Sequence, residues 1–318
     1  MTENSSDASA PSVVVLGSIN MDLVARCAAL PKPGETLTAN SFAEIPGGKG
    51  ANQAVAASRA GGLVTMIGRV GDDGFAERLR ANLAAEDICC HAVQTTDQTP
   101  SGVALINVSD AGDNQIVVVP GANGMVSCCD VDQFADQIKA ADVLLVQMEI
   151  PQDVVISAIR LARSAGTRVI LDPAPAPVTI SEGLLEVDLI CPNETEAAAL
   201  TGLPLDTTES IEAAARRLHH AGAQAVVITL GDQGVVLFDG DTFSVINAIP
   251  INAVDATAAG DALAGAIAVR WAESDSLQEA VRFGNAAGAI AASRPGAQPS
   301  LPTRSEIEQS LSESNVNS

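Results

Sequence analysis

A run of small residues, DATAAGDALAG at residues 255–265, is the first segment whose composition suits chemistry. Small residues followed by an apolar-periodic run predict a loop that turns into a buried helix. The backbone N–H groups of Ala258, Ala259 and Gly260 would then point at one place, where a phosphoryl group in transfer could bind. Asp261 would lie in the first helical turn. The alternative is an aspartate that only interacts with the helix dipole, which is a common arrangement.

A second segment, PGGKGANQA at residues 46–54, is a glycine-rich turn that enters a helix. Gly48 and Gly50 allow the backbone to approach a ligand closely, and the helix N-terminus suits an anion or hydroxyl oxygens. Lys49, one of only three lysines in the chain, and Asn52 lie in the same turn. The segment is neither a Walker A loop nor a GxGxxG fingerprint. A tight packing turn is the alternative.

Polar side chains also follow several of the predicted strands. Asn20 and Asp22 come after the first apolar run, and an amide beside a carboxylate suits a polyol because the carboxylate accepts from two hydroxyls. Glu149 follows VLLVQM, Asn193 lies in CPNETEA, and TLGDQG occupies residues 229–234. Each of these alone is typical of a turn or a cap. Since the carboxyl ends of parallel strands meet at one edge of a sheet, their shared position predicts a single cleft.

The elements that must hold these residues alternate along the chain. Apolar runs typical of strands lie at 12–19, 63–69, 142–148, 168–171, 187–190 and 225–230. Helical patterns lie at 51–60, 73–85, 130–140, 151–165, 207–221, 258–272 and 276–292. Such alternation predicts an α/β fold with a doubly wound, mostly parallel sheet and helices on both faces.

Two segments lack helical periodicity, residues 35–46 and residues 101–119, and the second resembles a hairpin that turns at Asp110–Asn114. Both could form a small antiparallel flap outside the main sheet. The alternative is that they are ordinary surface loops or edge strands.

The composition excludes several classes of protein. Of 318 residues, 47% are hydrophobic, which is enough for a sizeable core. Seventeen basic and thirty-nine acidic residues give a net charge of −22, which repels a phosphate backbone and argues against nucleic-acid binding. Only three His are present, so a His-based metal site or a Ser/His triad is disfavoured.

The cysteines and the termini predict a cytoplasmic protein. The six Cys form no CxxC pair and are interpreted as reduced core thiols. Residues 1–12 contain no Lys or Arg and no apolar stretch, so they predict a disordered, solvated tail and not a signal peptide. The longest apolar runs are far too short to span a bilayer, so no membrane partner is expected.

Taken together, these motifs closely resemble the ribokinase branch of the phosphofructokinase-B carbohydrate kinase family. GGKGANQAVAA and DATAAGDALAG resemble its two signatures, and GSINMD, LDPAPAP, PNETEA, TLGDQG and GAQPSLP are similar to other parts of its pattern. The resemblance implies a ribokinase-like domain over residues 13–312, with a small β-sheet lid formed near 20–46 and 101–120. Residues 313–318 would form a C-terminal tail, and two copies would form a homodimer through the lid.

The resemblance further implies ATP-dependent phosphorylation of D-ribose at the 5-hydroxyl, giving D-ribose 5-phosphate for pentose phosphate metabolism. Mg²⁺ would accompany ATP, and K⁺ would be an activator. Asp261 would be the catalytic base, and Ala258, Ala259 and Gly260 would form the anion hole. The ribose contacts would be Asn20, Asp22, Gly48, Lys49, Gly50, Asn52, Glu149 and Asp261. The ATP site would comprise Asn193, Thr229, Leu230, Gly231, Asp232, Gln233, Gly234, Gly260 and Asn285. The monovalent cation would be bound by Asp255, Thr257, Ala291, Arg294, Gly296 and Ser300, several through backbone carbonyls.

Three other hypotheses stay open from the residues. The chain could phosphorylate another sugar of the same family, such as 2-deoxyribose, fructose or 2-keto-3-deoxygluconate. It could be a sugar- or nucleotide-binding sensor that has lost activity, against which the intact Gly260 and Asp261 argue. It could be an NAD-dependent dehydrogenase, but no GxGxxG follows the first strand.

Overall fold

A computed structural model describes residues 10–274 and 276–316 of the chain. Most of the predicted N-terminal tail lies outside the described residues, and β1 already begins at Ser12. In the part described, none of the helices combines the length and apolarity that a membrane crossing needs.

The main sheet is mostly parallel, as predicted, and its strands are buried apolar runs because helices cover both faces. Its strands are β1 (Ser12–Leu16), β4 (Leu63–Val70), β5 (Val93–Thr95), β8 (Val143–Gln147), β9 (Arg168–Asp172), β10 (Leu189–Ile190), β11 (Ala225–Thr229), β12 (Gly234–Phe238) and β13 (Phe243–Asn247). Their order across the sheet is β13-β12-β11-β10-β9-β8-β1-β4-β5. Strands β12 and β13 turn back antiparallel at one edge. The direction of winding reverses at β1, where a ligand site is expected outside the carboxyl ends of the strands.

Two groups of helices cover the two faces of this sheet. The helices are α1 (Lys49–Arg59), α2 (Gly74–Ala85), α3 (Cys128–Gln133), α4 (Ala135–Ala140), α5 (Gln152–Ala165), α6 (Glu194–Thr201), α7 (Thr208–His220), α8 (Ala259–Glu273), α9 (Leu277–Ala292) and α10 (Arg304–Val316). Helices α1, α2, α8, α9 and α10 contribute to one buried apolar cluster, and α3 to α7 contribute to the other.

The lid is a separate sheet made of β2 (Asn20–Cys27), β3 (Ser41–Gly47), β6 (Gly102–Ser109) and β7 (Asn114–Val119), in the order β3-β2-β6-β7. Its outer pairs are antiparallel, whereas β2 and β6 run parallel. The predicted hairpin is confirmed, since the chain turns between Ser109 and Asn114. Asn20 and Asp22 thus begin a lid strand and do not form a polar turn.

Several local predictions need correction. The helix expected at 130–140 is divided at Phe134 into α3 and α4, because the backbone there leaves the helical region at φ −108°. Helices α6 and α10 and strands β12 and β13 were not predicted, and α10 continues to Val316, into the predicted C-terminal tail. All six cysteines are free, as predicted. Cys27 and Cys191 are buried, and Cys90 and Cys128 pack partly buried against the apolar clusters, so the prediction of core thiols is wrong for the exposed Cys89 and Cys129.

Glycines bring α1 against both β1 and α8, and this contact positions the candidate site. A Cβ atom on Gly50 would lie 2.6 Å from the Ser18 backbone nitrogen. A Cβ atom on Gly265 would lie 2.6 Å from the Ala56 Cβ and 2.8 Å from the Gln53 carbonyl oxygen. Because neither glycine has a side chain, the first turn of α1 lies beside the first turn of α8.

Candidate active site

Asp261 is held by two neutral amides from the first turns of α1. Asn52 Nδ2 donates to Asp261 Oδ2 at 3.0 Å, and Gln53 Nε2 donates to Asp261 Oδ1 at 3.1 Å. The Asp261 side chain is buried, with 5% of its surface exposed. Its carboxylate is therefore fixed in orientation by neutral donors.

The start of α8 beside Asp261 is shaped for a ligand. Ala258 precedes the helix in the left-handed region at φ 60°, which is costly for a residue other than glycine. The Ala259 N–H donates to the Ala256 carbonyl at 3.2 Å, so this member of the predicted anion hole is engaged in a turn. Gly260 lies in the first turn, where N–H groups have no intrahelical partner. A Cβ atom on Gly260 would meet nothing within 4 Å, so there is open space in front of it.

Lys49 is surrounded by carboxylates. Its Nζ lies 3.9 Å from Asp172 Oδ2. Burial lowers the pKa of Lys49, but the charges of Asp172, Asp261 and Glu149 outweigh that effect and raise it above its usual value. Burial and the neighbouring Glu149 and Asp261 raise the pKa of Asp22 to about 7. Burial likewise raises the pKa of Asp172 to about 7, although Lys49 opposes it.

Glu149 joins the ends of two strands to α1. Its Oε2 accepts from Ser18 Oγ at 2.5 Å and from the Lys49 backbone N–H at 3.1 Å. The Gly50 N–H in turn donates to Ser18 Oγ at 3.3 Å. The carboxyl ends of β1 and β8 and the N-terminus of α1 thus meet at one carboxylate.

Asn20 is positioned by a residue that carries no sequence signal, Asn123. Asn123 Nδ2 donates to Asn20 Oδ1 at 2.7 Å, and Asn123 Oδ1 accepts from the Ile19 N–H at 2.9 Å. Both asparagines are buried. Because the Asn20 oxygen is engaged, its amide nitrogen is the atom left for a ligand. Gly47 faces Asp22 closely, since a Cβ atom there would lie 2.2 Å from Asp22 Oδ2.

The residues expected to bind the nucleotide lie at the ends of β10, β11 and β12. The Thr229 N–H bonds to the Pro192 carbonyl at 3.1 Å, which places Thr229 beside Asn193. Asn193 Oδ1 caps α6 by accepting from the Glu196 N–H at 2.8 Å. Gly231 adopts φ 56°, which favours glycine in this turn.

Other members of this expected set have structural roles. Leu230 is buried, and its N–H donates to the Gly234 carbonyl at 2.8 Å. A Cβ atom on Gly234 would lie 2.3 Å from the Ile246 carbonyl oxygen, so the close pairing of β12 and β13 already requires this glycine. Asn285 donates to the Asn247 carbonyl at 2.9 Å. Asp232 and Gln233 line a cleft of about 390 Å³, together with Phe243 and Asn247 among others.

Only some of the residues expected to bind a cation are hydrogen-bonded to one another. Asp255 Oδ1 accepts from Thr257 Oγ1 at 2.5 Å, and Asp255 Oδ2 accepts from the Gly296 N–H at 2.9 Å. Burial raises the pKa of Asp255, but these donors outweigh it and lower the pKa below its usual value. The Arg294 N–H bonds to the Ala291 carbonyl at 3.1 Å.

Two side chains of this set point elsewhere. The Arg294 guanidinium bonds to Glu306 of α10 at 2.6 Å. The buried Ser300 hydroxyl donates to the Ala297 carbonyl at 2.7 Å. Arg294 can therefore offer a cation only its backbone carbonyl, whereas the Ser300 hydroxyl oxygen keeps its lone pairs.

Besides Asn123, three more buried residues of the site were not predicted: Asp172, Gln53 and Gln147. Asp172 ends strand β9, so the rule that identified Glu149 at the end of β8 would also have identified Asp172. The two glutamines occupy positions that sequence periodicity assigns to the core.

A doubly wound sheet, a second small sheet that follows β1 and a fixed carboxylate at a helix N-terminus suit phosphoryl transfer to a small polyhydroxylated molecule. The chain belongs to the pfkB family of carbohydrate kinases, whose family model matches residues 10–304. The resemblance of the sequence motifs is therefore confirmed, as is the predicted fold class.

Individual relatives are similar over nearly the whole chain. A ribokinase of Haemophilus influenzae is 41% identical over 299 residues, which cover 94% of this chain and 98% of the relative. A deoxyribokinase of Salmonella typhi is 36% identical over 301 residues, with 94% and 98% coverage. The structure of an Arabidopsis thaliana ribokinase complexed with ribose and ATP superposes with a TM-score of 0.86 at 34% identity and covers 95% of this chain and 99% of that one.

The raised pKa of Asp172 predicts a pH-dependent stability difference. Between about pH 4 and pH 7 the folded protein binds a proton at Asp172 that the unfolded chain releases, so the wild type loses stability as the pH rises through this window. The Asp172→Asn variant does not titrate at this position, so it lacks this pH-dependent loss of stability. Its amide oxygen can still accept the hydrogen bond from Gln53 Nε2. Thermal unfolding of both proteins at pH 5 and pH 8 should show the variant gaining about 2–3 kcal/mol relative to wild type at the higher pH. An equal difference at both pH values would contradict the raised pKa.

Proposed function

We propose that this chain transfers the γ-phosphoryl group of ATP to the 5-hydroxyl of D-ribose and forms D-ribose 5-phosphate. The observation that carries the proposal is the Asp261 carboxylate, fixed by Asn52 and Gln53 at the N-terminus of α8. It is supported by the similarity to ribokinases and to a ribokinase structure that contains ribose and ATP. ATP is a cytoplasmic metabolite, which also supports the cytoplasm as the compartment.

The sugar would be bound by acceptors and donors that converge from the lid and the main sheet. Asp22 offers two carboxylate oxygens to neighbouring hydroxyls, and Asn20 offers its amide nitrogen. Asn52 Oδ1 is a buried acceptor with no hydrogen-bond partner among the described residues. Leaving such an acceptor unsatisfied is costly, so a sugar hydroxyl that donates to it would be favoured.

Asp261 would orient the 5-hydroxyl and accept its proton as the new P–O bond forms and the bond to the leaving ADP oxygen breaks. Phosphoryl transfer depends mainly on positioning and on neutralising charge, so the base acts late and an ordinary carboxylate suffices. The N–H groups at the start of α8, with Gly260 facing open space, would stabilise the charge on the transferring group. The lid would exclude water, which competes with the sugar for ATP.

Among the described residues, no three acidic, Cys or His side chains are placed to hold a metal ion, so Mg²⁺ would be held mainly by the phosphate oxygens of ATP and by water. When bound with ATP, Mg²⁺ would neutralise the phosphate oxygens.

The base assignment is tested by Asp261→Asn. We expect kcat to fall about 10²- to 10⁴-fold, because general-base catalysis contributes this much, while the KM values for ATP and ribose change little. Coupled ADP-release assays would measure both. Asp153→Asn, which alters an exposed first-turn aspartate of α5, is the matched control and should keep wild-type kcat. If Asp261→Asn kept more than about a tenth of wild-type kcat, Asp261 would be only a helix-dipole residue.

The same assay, run on the wild-type protein with several sugars, identifies the preferred substrate. D-Ribose should give the highest kcat/KM among D-ribose, 2-deoxyribose, fructose and 2-keto-3-deoxygluconate. A higher kcat/KM for 2-deoxyribose would instead assign the chain to the activity of its deoxyribokinase relatives.

We also propose that K⁺ binds beside the anion hole. Asp255, Thr257 and Gly296 are already linked there, and flexible carbonyl oxygens of residues 291–300 suit a large monovalent ion. At fixed ionic strength, kcat should be higher in K⁺ than in Na⁺, and Asp255→Ala should reduce that difference. Asp239→Ala, at an exposed aspartate that accepts two backbone N–H groups in another turn, is the control. Equal rates in K⁺, Na⁺ and a bulky organic cation would refute the cation site.

The final proposal is a homodimer through the lid. Strand pairing places Leu105 and Val117 opposite each other on the face of the lid away from Asp22, since successive side chains alternate between faces. On this face Leu105 is 45% exposed, Val117 55% and Phe42 62%. A second copy that paired with the same face would cover these side chains symmetrically.

Light scattering after size exclusion would test the dimer. Wild type should have twice the chain mass, and the double variant Leu105→Lys/Val117→Lys should have the mass of one chain, because buried lysines oppose the contact. Val245→Lys, at an exposed apolar position of β13, should leave the mass at two chains. A wild-type protein that is monomeric at micromolar concentrations would contradict the proposal.

A further inference from the structure

Gln53 lies between two carboxylates at the centre of the site. Its side chain is fully buried, with 0% exposure. Its Nε2 lies 2.8 Å from Asp172 Oδ2 and 3.1 Å from Asp261 Oδ1. A primary amide nitrogen carries two N–H bonds, so Gln53 donates one hydrogen to each carboxylate and has none left over.

The two carboxylates determine which way the Gln53 amide points, and Gln147 donates to the oxygen on its other side. Gln147 Nε2 donates to Gln53 Oε1 at 2.6 Å. If the Gln53 amide were turned over, its oxygen would face two carboxylate oxygens and its NH₂ group would face the NH₂ group of Gln147. Gly17 makes room for this arrangement, because a Cβ atom there would lie 2.0 Å from Gln147 Oε1.

A neutral donor between these carboxylates serves a purpose that a lysine or arginine would not. Two carboxylates buried close together repel each other, so one of them must protonate or rotate away unless a donor lies between them. A cation in this place would form an ion pair with Asp261 and hold its proton-accepting oxygens. Gln53 instead orients Asp261 through a neutral hydrogen bond, and the charge of Lys49 acts on the Asp261 carboxylate without occupying the position of Gln53.

We propose that Gln53 is a positioning residue for phosphoryl transfer, which acts by holding the Asp261 carboxylate in the orientation that accepts the sugar proton. This inference rests on the proposed function, because it takes Asp261 to be the base. Gln53 touches no substrate atom in this account. Replacing Gln53 should therefore change kcat and leave the binding of both substrates nearly unchanged.

Gln53→Leu removes both donors while keeping a similar side-chain volume. We expect kcat to fall about 10- to 100-fold, as for the loss of a buried hydrogen bond to a charged group, with both KM values within about threefold of wild type. Gln278→Leu, at an exposed glutamine in the first turn of α9, is the control and should leave kcat unchanged. A wild-type kcat in Gln53→Leu would overturn the proposal.

A double-mutant cycle separates this inference from the proposed function. If Gln53 acts through Asp261, then Gln53→Leu combined with Asp261→Asn should have the same kcat as Asp261→Asn alone. If the two losses multiply, Gln53 acts independently of Asp261 and the positioning role is wrong. If Asp261→Asn alone keeps its kcat, the base assignment fails, and with it the proposal for Gln53. If Gln53→Leu has wild-type kcat while Asp261→Asn is inactive, only the positioning role of Gln53 is overturned.

A second variant covers the case in which Gln53→Leu does not fold. In Gln53→Glu, the introduced carboxyl can donate to Asp261 only while it is protonated. The kcat of this variant should therefore fall as the pH rises through the pKa of the introduced carboxyl, over a range in which wild-type kcat is steady. A variant whose kcat follows the wild-type pH profile would overturn the proposal.

Discussion

The crowding of buried carboxylates around one lysine is the constraint on which the rest of the site depends. Beyond the effect of burial, neighbouring carboxylates raise the pKa values of Lys49, Asp22 and Asp172. These carboxylates belong to Glu149, Asp172 and Asp261. Buried like charges are unfavourable unless they are paired, protonated or hydrogen-bonded. The protein uses all three means: Lys49 pairs with Asp172, the pKa values of Asp22 and Asp172 rise, and neutral amides bond Asp261. This cost is consistent with a site that binds hydroxyl donors and a metal-bound polyphosphate.

The backbone must bring distant segments very close to build such a cluster. Gly48 adopts φ 91° at the start of α1, a conformation that favours glycine, and Gly50 and Gly265 allow α1 to contact β1 and α8. The same helix therefore supplies Lys49 to the cluster of carboxylates and Asn52 and Gln53 to Asp261. A lid strand that begins directly after β1 brings Asp22 to the same place.

The architecture and the polar residues at strand ends were predictable from local signals, whereas the amide network was not. Alternating apolar runs and helical periods identified most of the main sheet, and glycine-rich turns identified the starts of α1 and α8. Gln53 meets Asp172 and Asp261 across sequence separations of 119 and 208 residues. A buried glutamine on a helix has no local pattern that distinguishes it from a packing residue, so only tertiary contacts show its partners. Asn123 escaped prediction for the same reason, since it meets Asn20 across 103 residues.

The most direct test of the central claim, that these carboxylates and amides surround one sugar, is a crystal structure with ribose and a non-hydrolysable ATP analogue. The ribose 5-hydroxyl should lie within about 3 Å of an Asp261 oxygen, the γ-phosphoryl group at the start of α8, and two ring hydroxyls at Asp22. A sugar bound away from Asp261, or oriented with another hydroxyl towards the phosphoryl group, would contradict this claim.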